Sequence, residues 1–413
     1  MDGARGLYSL FLIFPLGRTL RGKVVGLPKT RYNTSNSAFF VLERHSMKVG
    51  LIGLPASGKT TLFNALTRGD SSPAGGGSAA LVSVVPVPDP RYDFAINLFH
   101  PKKRTSATIE FTDGAAQLSG DSSKTTQKFG ADFFVGIRSV DALVLVVRAF
   151  ETPSLPAPAG GLNPLKDYQA ITEELLLGDL TVIETRLERI DKQLKTRKQG
   201  VPSPEVTERE ILLKIKAVLD GFKPVSSIDL DEDERRITKN FDFLTGKPLI
   251  AVANVGEGDL AAGADLPLLA PLRDQCAQEG IELITLCASA EEEVAQLDAA
   301  DQTEFLDALG IAEPAAARLI RAAYSALGVM SFFTVGEDEV RAWTVPAGAN
   351  ALAAAGRIHS DLARGFIRAE VLAFDDLIAA GTEAAAKAAG KFRLEGKEYP
   401  VKDGDILNIR FKV

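Results

Sequence analysis

The chain has 413 residues and a formal net charge of −7, and hydrophobic residues make up 46% of it. This length favours roughly two to three domains, each with its own core, and the acidic balance argues against nucleic-acid binding through bulk electrostatics. Two cysteines, Cys276 and Cys287, exclude a disulfide framework, and no apolar run approaches the ~20 residues that span a bilayer. We therefore expect a multidomain cytoplasmic protein without a membrane or sequence-specific DNA partner.

Residues 1–46 form an N-terminal extension before the first predicted strand. The short apolar run Leu7–Phe14 lacks the basic segment before it and the clear cleavage site after it that a secretory signal needs. We expect this extension to be disordered, or to be translated sequence upstream of a start at Met47.

The apolar run Val49–Leu54 leads into Gly53-x-x-x-x-Gly58-Lys59-Thr60. This is the P-loop pattern in its required context, a strand that enters a glycine-rich turn and then a helix. In such a loop the backbone N–H groups and the helix N-terminus bind phosphate, the lysine reaches the β- and γ-phosphates, and the hydroxyl ligates magnesium. The alternative is a glycine turn before an ordinary helix. The residues predicted to contact the nucleotide phosphates are Ala56, Ser57, Gly58, Lys59, Thr60 and Thr61.

Further Val/Ile/Leu-rich runs have the length and spacing of buried strands. Continuous apolar character is typical of a mostly parallel sheet covered on both faces. The predicted strands are Leu81–Val87, Ala107–Phe111, Ala142–Val147, Leu249–Val255 and Ile281–Leu286. The basic run Lys102–Arg104 between two of them is predicted to be a solvated loop.

A change of periodicity interrupts this strand pattern. Apolar residues recur at helical spacing from Tyr168 to Lys198, the segment Gly200–Pro204 breaks the helix, and Thr207–Leu219 resumes the pattern. The sequence therefore predicts an αα-hairpin, of coiled-coil type, inserted into the nucleotide-binding domain.

The C-terminal part of the chain has shorter strands with turn signals between them. One helix, Ala351–Ala363, lies among these strands, so a β-grasp, in which a small mixed sheet holds a helix, is the economical architecture. The predicted strands are Phe332–Val335, Val340–Val345, Phe392–Leu394, Tyr399–Val401 and Ile406–Val413.

Several segments together resemble a known family. They are Gly50–Pro55, Gly58–Thr67, Val84–Arg91, Ala107–Phe111, Glu174–Arg189, Val340–Val345, Gly365–Val371 and Gly390–Gly396. The chain from Met47 onward is similar to the YchF group of Obg-related P-loop NTPases, the Obg-like ATPases. This resemblance implies an α/β fold with a G domain over 47–164 and 245–310, an inserted helical arm over 165–244 and a TGS β-grasp domain over 328–413. It also implies association with the ribosome or the translation machinery.

The residues that choose the base lie after the strand Leu249–Val255. GTPases of this class bind guanine through Asn-Lys-x-Asp, whereas this chain has Asn254-Val255-Gly256-Glu257, which matches the pattern that the YchF group uses to prefer ATP. Removing a correctly placed carboxylate leaves the guanine donors unpaired, at a cost of ~1–3 kcal/mol. We expect Asn254, Val255 and Glu257 to contact the base, with ATP preferred and GTP as the alternative.

The predicted switch regions differ from the family pattern. Asp113 is retained and can hold magnesium with Thr60, but Ala116 replaces the glycine whose N–H turns toward the γ-phosphate. Gln117 stands where small GTPases have their water-positioning glutamine, so we name Lys59, Asp113 and Gln117 as the catalytic residues. The alternative for Gln117 is a solvated loop glutamine, since a shift of one residue decides whether it can position water. The threonine that should ligate magnesium upstream aligns near Gly77, and Ser78 is a loose substitute.

The sequence thus predicts a regulatory ATPase that uses Mg²⁺ and hydrolyses ATP slowly. Two alternatives remain: a nucleotide-gated binding scaffold with negligible turnover, and a true GTPase. A hydrolysis assay separates the scaffold from the enzyme, and a competition titration separates ATP from GTP.

Basal turnover tests the interpretation of the switch regions. We expect hydrolysis slower than about one turnover per minute without a partner, because one γ-phosphate donor is constrained by the Cβ of Ala116. Ala116→Gly should raise the single-turnover rate with nucleotide affinity unchanged. Fast wild-type turnover, or a rate that Ala116→Gly leaves untouched, would contradict this interpretation.

Overall fold

The computed structural model describes residues 47–69, 72–73, 81–113, 131–155, 157–158, 160–195, 203–298, 301–302, 304, 306 and 313–412. All of these residues belong to the compact unit Tyr32–Val413. The predicted N-terminal extension lies outside the described residues, as do Gly77, Ser78, Ala116 and Gln117.

The described strands form two sheets. In chain order they are β1 (Lys48–Ile52), β2 (Ser72–Pro73), β3 (Leu81–Pro86), β4 (Lys103–Thr105), β5 (Thr108–Asp113), β6 (Ala142–Ala149), β7 (Leu249–Val255), β8 (Glu282–Leu286), β9 (Val329–Thr334), β10 (Glu339–Pro346), β11 (Phe366–Leu372), β12 (Arg393–Glu395) and β13 (Ile406–Phe411).

The described helices lie on the faces of these sheets or form the inserted hairpin. They are α1 (Lys59–Thr67), α2 (Pro90–Phe99), α3 (Ala131–Arg138), α4 (Pro164–Lys195), α5 (Pro204–Asp220), α6 (Glu232–Thr238), α7 (Ala270–Glu279), α8 (Ala288–Gln296), α9 (Ala315–Ala326), α10 (Ala351–Ile358), α11 (Ser360–Arg364), α12 (Phe374–Ala380) and α13 (Glu383–Ala388).

The first sheet has seven strands in the order β2-β3-β5-β1-β6-β7-β8. β5, β1, β6, β7 and β8 run parallel to one another, and β3 joins the sheet antiparallel to β5. Every residue of β6 is buried, because helices cover both faces: α1, α8 and α9 on one, and α3, α4 and α7 on the other. The α/β fold with a mostly parallel sheet is therefore confirmed.

The inserted hairpin consists of α4 and α5, which share a core formed by residues such as Ile183, Ile190 and Ile215. The ion pair of Arg186 with Glu208 joins the two helices at 2.6 Å. The predicted αα-hairpin is thus confirmed, although α4 starts before the predicted helix, and its first turns pack on the first sheet rather than in the hairpin.

Asp179 anchors α4 where it leaves the first sheet. This side chain is fully buried, and its carboxylate accepts hydrogen bonds from Arg138 (3.1 Å), the Leu244 amide (3.0 Å) and the amide and hydroxyl of Thr245 (both 2.9 Å). Arg138 also donates to the Gly178 carbonyl at 2.9 Å. One buried carboxylate therefore joins α3, α4 and the end of the insertion.

The second sheet has six strands in the order β12-β11-β13-β9-β10-β4, and α10 packs on one face. Its last strand, β4, comes from the first half of the chain and pairs in parallel with β10, so the prediction of a solvated loop at Lys102–Arg104 was wrong. The backbone amides of Lys102 and Lys103 donate to the Glu337 and Asp338 carbonyls, each at 3.0 Å, while both lysine side chains stay exposed.

Three further differences concern local structure in the C-terminal part. The predicted strand Tyr399–Val401 makes only an isolated bridge between Pro400 and Asn350. The predicted single helix is two helices, because His359 adopts an extended conformation between α10 and α11. Strand β11 was not predicted, since a bulge near Arg368 disturbs its alternation of buried and exposed residues.

Arg91, at the start of α2, connects the two sheets. Its guanidinium bonds to Asp89 (2.8 Å) and to Asp403 in the turn before β13 (2.9 Å), and it lies 5.5 Å from the centre of the Phe333 ring. Gly404 is favoured beside it, because its φ of 88° lies in the left-handed region and a Cβ there would also lie 2.5 Å from the Arg91 guanidinium. One apolar core extends across both sheets at this point. The domain limits given by the sequence analysis therefore stay a prediction.

Within the described part of the chain, every helix is too short or too polar to cross a membrane.

Removal of the Asp179 carboxylate tests its role as the anchor of α4. Asp179→Ala should lower the free energy of unfolding by about 3–5 kcal/mol, because it removes the shared acceptor of two backbone amides and of Arg138, which is half-buried and keeps only its carbonyl partners. Asp191→Ala is the matched control: its ion pair with Arg209 is half-exposed, so the loss should stay below ~1 kcal/mol in urea titrations. Equal losses in the two variants would contradict the anchor role.

Candidate functional site

The glycine-rich turn follows β1 at the carboxyl edge of the first sheet. Ala56 and Gly58 have positive φ angles of 62° and 90°, so the turn alternates its backbone direction and forms a concave surface of N–H groups. Gly53 is required for a different reason, since a Cβ there would lie 2.4 Å from the Val146 carbonyl oxygen on β6. The turn is therefore packed directly on the sheet.

The N-terminus of α1 is open to a ligand. Gly58, its N-cap, supplies no side-chain capping bond, and the first-turn amides of a helix have no intrahelical partner. These amides and the helix dipole favour an anion at this position. Ser57 is buried in the turn, whereas Ala56 and Thr60 are exposed and Thr61 is half-buried.

Lys59 lies over the turn. Its ammonium group donates to the Gly53 carbonyl at 2.8 Å and to the Leu54 carbonyl at 2.9 Å. Burial lowers the pKa of Lys59, and the negative charge of Asp113 opposes that shift. The ammonium group thus has partners that a phosphate can replace without leaving a buried charge unpaired.

Thr60 and Asp113 meet beside the same helix end. The threonine hydroxyl donates to Asp113 Oδ2 at 2.9 Å, and Asp113 is buried at the end of β5. The second carboxylate oxygen, Oδ1, is also buried and has no hydrogen-bond partner among the described residues. A hydroxyl and a carboxylate oxygen are the ligands that Mg²⁺ prefers, so these two residues fit a magnesium site.

Asn254 connects the turn to two other loops. Its amide nitrogen donates to the Ser57 carbonyl at 2.9 Å, and its amide oxygen accepts from the Ala288 amide at 2.9 Å. A Cβ on Gly58 would lie 2.1 Å from the Asn254 amide nitrogen. Both ends of the buried side chain are therefore engaged in holding loops together.

The other two residues predicted at the base have different environments. Val255 is 1% exposed and belongs to the apolar core on one face of the first sheet, so only its backbone can reach a ligand in this arrangement. Glu257 is exposed and begins a short 3₁₀ helix, Glu257–Asp259. Its carboxylate is free to meet a base that approaches from solvent.

Phe150 also lies at this edge, although the sequence analysis did not select it. It follows β6, and its ring is near Gly58 while its Cβ is near Gly256. Arg148 contacts it from within β6. The sequence signal that could have pointed to Phe150 is Arg148, a charged residue inside the apolar run Ala142–Ala149.

The structure thus brings Lys59, Thr60, Asp113, Asn254 and Glu257 to one edge of the first sheet. This arrangement offers backbone donors and an ammonium group for phosphate, two oxygen ligands for a cation, and a polar loop beside them. Gln117, the predicted water-positioning residue, lies outside the described residues, so its role stays a prediction.

Comparisons with known proteins agree with this arrangement. The family model YchF-GTPase_C, described as "Protein of unknown function (DUF933)", matches residues 329–412. The Ribosome-binding ATPase YchF of Bacillus subtilis (strain 168) is 41% identical over 371 residues, which cover 89% of this chain and 100% of that protein. The protein of the same name from Escherichia coli O157:H7 is 38% identical over 369 residues, 89% of this chain and 99% of that protein.

A solved structure extends the likeness to three dimensions. The Schizosaccharomyces pombe YchF GTPase matches with a TM-score of 0.76 and 30% sequence identity, over 88% of this chain and 98% of that one. Because relatives of such identity align over nearly their whole length, the chain belongs to the YchF family of P-loop NTPases.

Proposed function

We propose that this chain is a Mg²⁺-dependent ATPase of slow turnover that acts with the ribosome or the translation machinery in the cytoplasm. The observation that carries the nucleotide part of the proposal is the contact between Thr60 and Asp113 beside the open N-terminus of α1, with one buried carboxylate oxygen left over. A magnesium–triphosphate ligand needs a cation site directly beside an anion site, and these residues provide both.

Each residue of the turn has a proposed task. The amides from Ala56 to Thr61 bind the phosphate oxygens, and Lys59 neutralises their charge. Thr60 would hold Mg²⁺ directly, and Asp113 would hold it directly or through water. The bound cation supplies charge neutralisation at the β- and γ-phosphates.

Base recognition is proposed to be divided between two residues. Asn254 fixes the loops on either side of the base through its bonds to the Ser57 carbonyl and the Ala288 amide. Glu257, at the exposed end of β7, replaces the aspartate that pairs with guanine in related GTPases, and this replacement supports ATP as the preferred nucleotide.

Slow turnover follows from the composition of the predicted switch regions. Hydrolysis needs a positioned water and donors at the γ-phosphate. We assign the positioning of the attacking water to Gln117, and we attribute the low hydrolysis rate to Ala116 in place of the glycine. The ribosome enters as the partner because bacterial relatives of nearly equal length are named ribosome-binding ATPases.

Loss of the Lys59 ammonium group should separate nucleotide binding from folding. Lys59→Ala should weaken ATP binding about 10- to 100-fold, since charged hydrogen bonds of this kind contribute ~1.5–3 kcal/mol. Isothermal titration calorimetry measures the affinity, and circular dichroism confirms the fold. Lys102→Ala, which removes an exposed lysine of the second sheet's edge, is the control and should bind ATP like the wild type. Unchanged ATP affinity in Lys59→Ala would rule out the phosphate site.

The length of the acidic side chain after β7 should control the choice of base. The wild type should bind ATP at least as tightly as GTP, and Glu257→Asp should shift the ATP/GTP affinity ratio toward GTP by about threefold or more, because a shorter carboxylate restores the guanine-binding geometry. Glu282→Asp is the control: it makes the same change at the start of β8, away from the carboxyl edge of the sheet, and should leave the ATP/GTP affinity ratio unaltered. A wild-type preference for GTP of about tenfold, ~1.4 kcal/mol, would contradict the adenine assignment.

A further inference from the structure

Arg148 is an arginine inside the otherwise apolar strand β6. It is only 9% exposed, and it lies opposite Asn254 in the β6–β7 ladder, at the carboxyl edge of the first sheet. A buried guanidinium is costly unless it is well bonded, so its partners indicate what it holds in place.

Two of its partners lie just beyond the strand. Arg148 Nε donates to the Phe150 carbonyl at 3.0 Å, and Nη2 donates to the Leu155 carbonyl. The guanidinium also lies 5.2 Å from the centre of the Phe150 ring. The segment between the two carbonyls is itself closed by backbone bonds between Thr152 and Leu155. Arg148 therefore fixes both the backbone and the ring of Phe150.

Phe150 fills the gap between two loops of the candidate site. Its Cε1 atom lies 3.9 Å from the position of a Cβ on Gly58, and its Cβ lies 3.9 Å from the position of a Cβ on Gly256. One side of the residue thus borders the phosphate-binding turn, and the other borders the loop that carries Glu257. A base attached to phosphates at the turn must pass beside this ring.

We infer that Arg148 is a positioning residue that holds the Phe150 ring as one wall of the base pocket. The inference rests on the proposed nucleotide binding and adds a contact that serves affinity rather than selectivity. An aromatic face stacks on any base, whereas the hydrogen-bonding edge is left to Glu257. A ring already fixed by a cation and a backbone bond loses little conformational freedom when the base arrives.

Comparison of a ligand with a base and a ligand without one tests this role. In the full-length chain, ATP and inorganic tripolyphosphate are each titrated against a fluorescent ATP analogue in the presence of Mg²⁺. Arg148→Met should weaken ATP binding about tenfold and change tripolyphosphate binding less than twofold, because only ATP uses the wall. Arg341→Met removes another arginine from an aromatic ring, Trp343 at 3.7 Å, and should change neither affinity.

A double-mutant cycle tests whether Arg148 affects ATP binding through Phe150. Phe150→Ala should reproduce the loss of ATP affinity, and adding Arg148→Met to it should cost less than a further twofold. Arg148→Lys, which keeps the charge but lacks the planar guanidinium, should fall between the wild type and Arg148→Met. If Arg148→Met does not fold, Arg148→Lys and Phe150→Ala complete the comparison.

The outcomes separate this inference from the proposed function. Equal losses for ATP and tripolyphosphate, additive losses in the cycle, or unchanged ATP affinity in Arg148→Met and Phe150→Ala would each overturn the positioning role. A wild-type chain that binds neither ligand would contradict nucleotide binding itself.

Discussion

The side-chain amide of Asn254 is the contact on which the arrangement of the site depends. It bonds the phosphate-binding turn on one side and the loop that begins α8 on the other, so the carboxyl ends of β1, β7 and β8 are held together. Only glycine fits at position 58, because the Asn254 side-chain amide occupies the space that a Cβ would need. The same close approach brings Phe150 against the turn. The site is therefore built from the packing of loops at one sheet edge, and its polar groups are fixed before a ligand arrives.

A second set of contacts relates this edge to the rest of the molecule. β5 carries Asp113 and pairs with β3, whose chain continues into Asp89 and Arg91. Arg91 then reaches Asp403 beside the second sheet. On the other face of the first sheet, Asp179 ties the helical insertion to α3. The helical insertion is thus attached through the buried Asp179 and the second sheet through the half-buried Arg91, and both residues lie near strands that carry the site.

Local patterns in the sequence were sufficient for much of the fold. A glycine motif predicts the turn, and the spacing of apolar residues predicts the parallel strands and the helical hairpin. The structure confirms all three. Strand β4 could not be predicted, because three polar residues acquire strand structure only by pairing with β10 more than two hundred residues later. At the site, the sequence predicted the P-loop and Asp113, which the structure places together, but the burial of Val255 and the contact of Arg148 with Phe150 arise from tertiary packing.

The pairing of β4 with β10 also determines when this protein can finish folding during its synthesis. Thr105 and Glu339, which hydrogen-bond across the two strands, are 234 residues apart. At ~5–20 residues per second, translation of that interval takes roughly 12–47 s. The first sheet can close once β8 has emerged, but the apolar side of α2, where Phe94 packs on Phe374, waits for α12. A nascent chain of this protein therefore carries an open apolar surface on α2 until β10 and α12 have emerged.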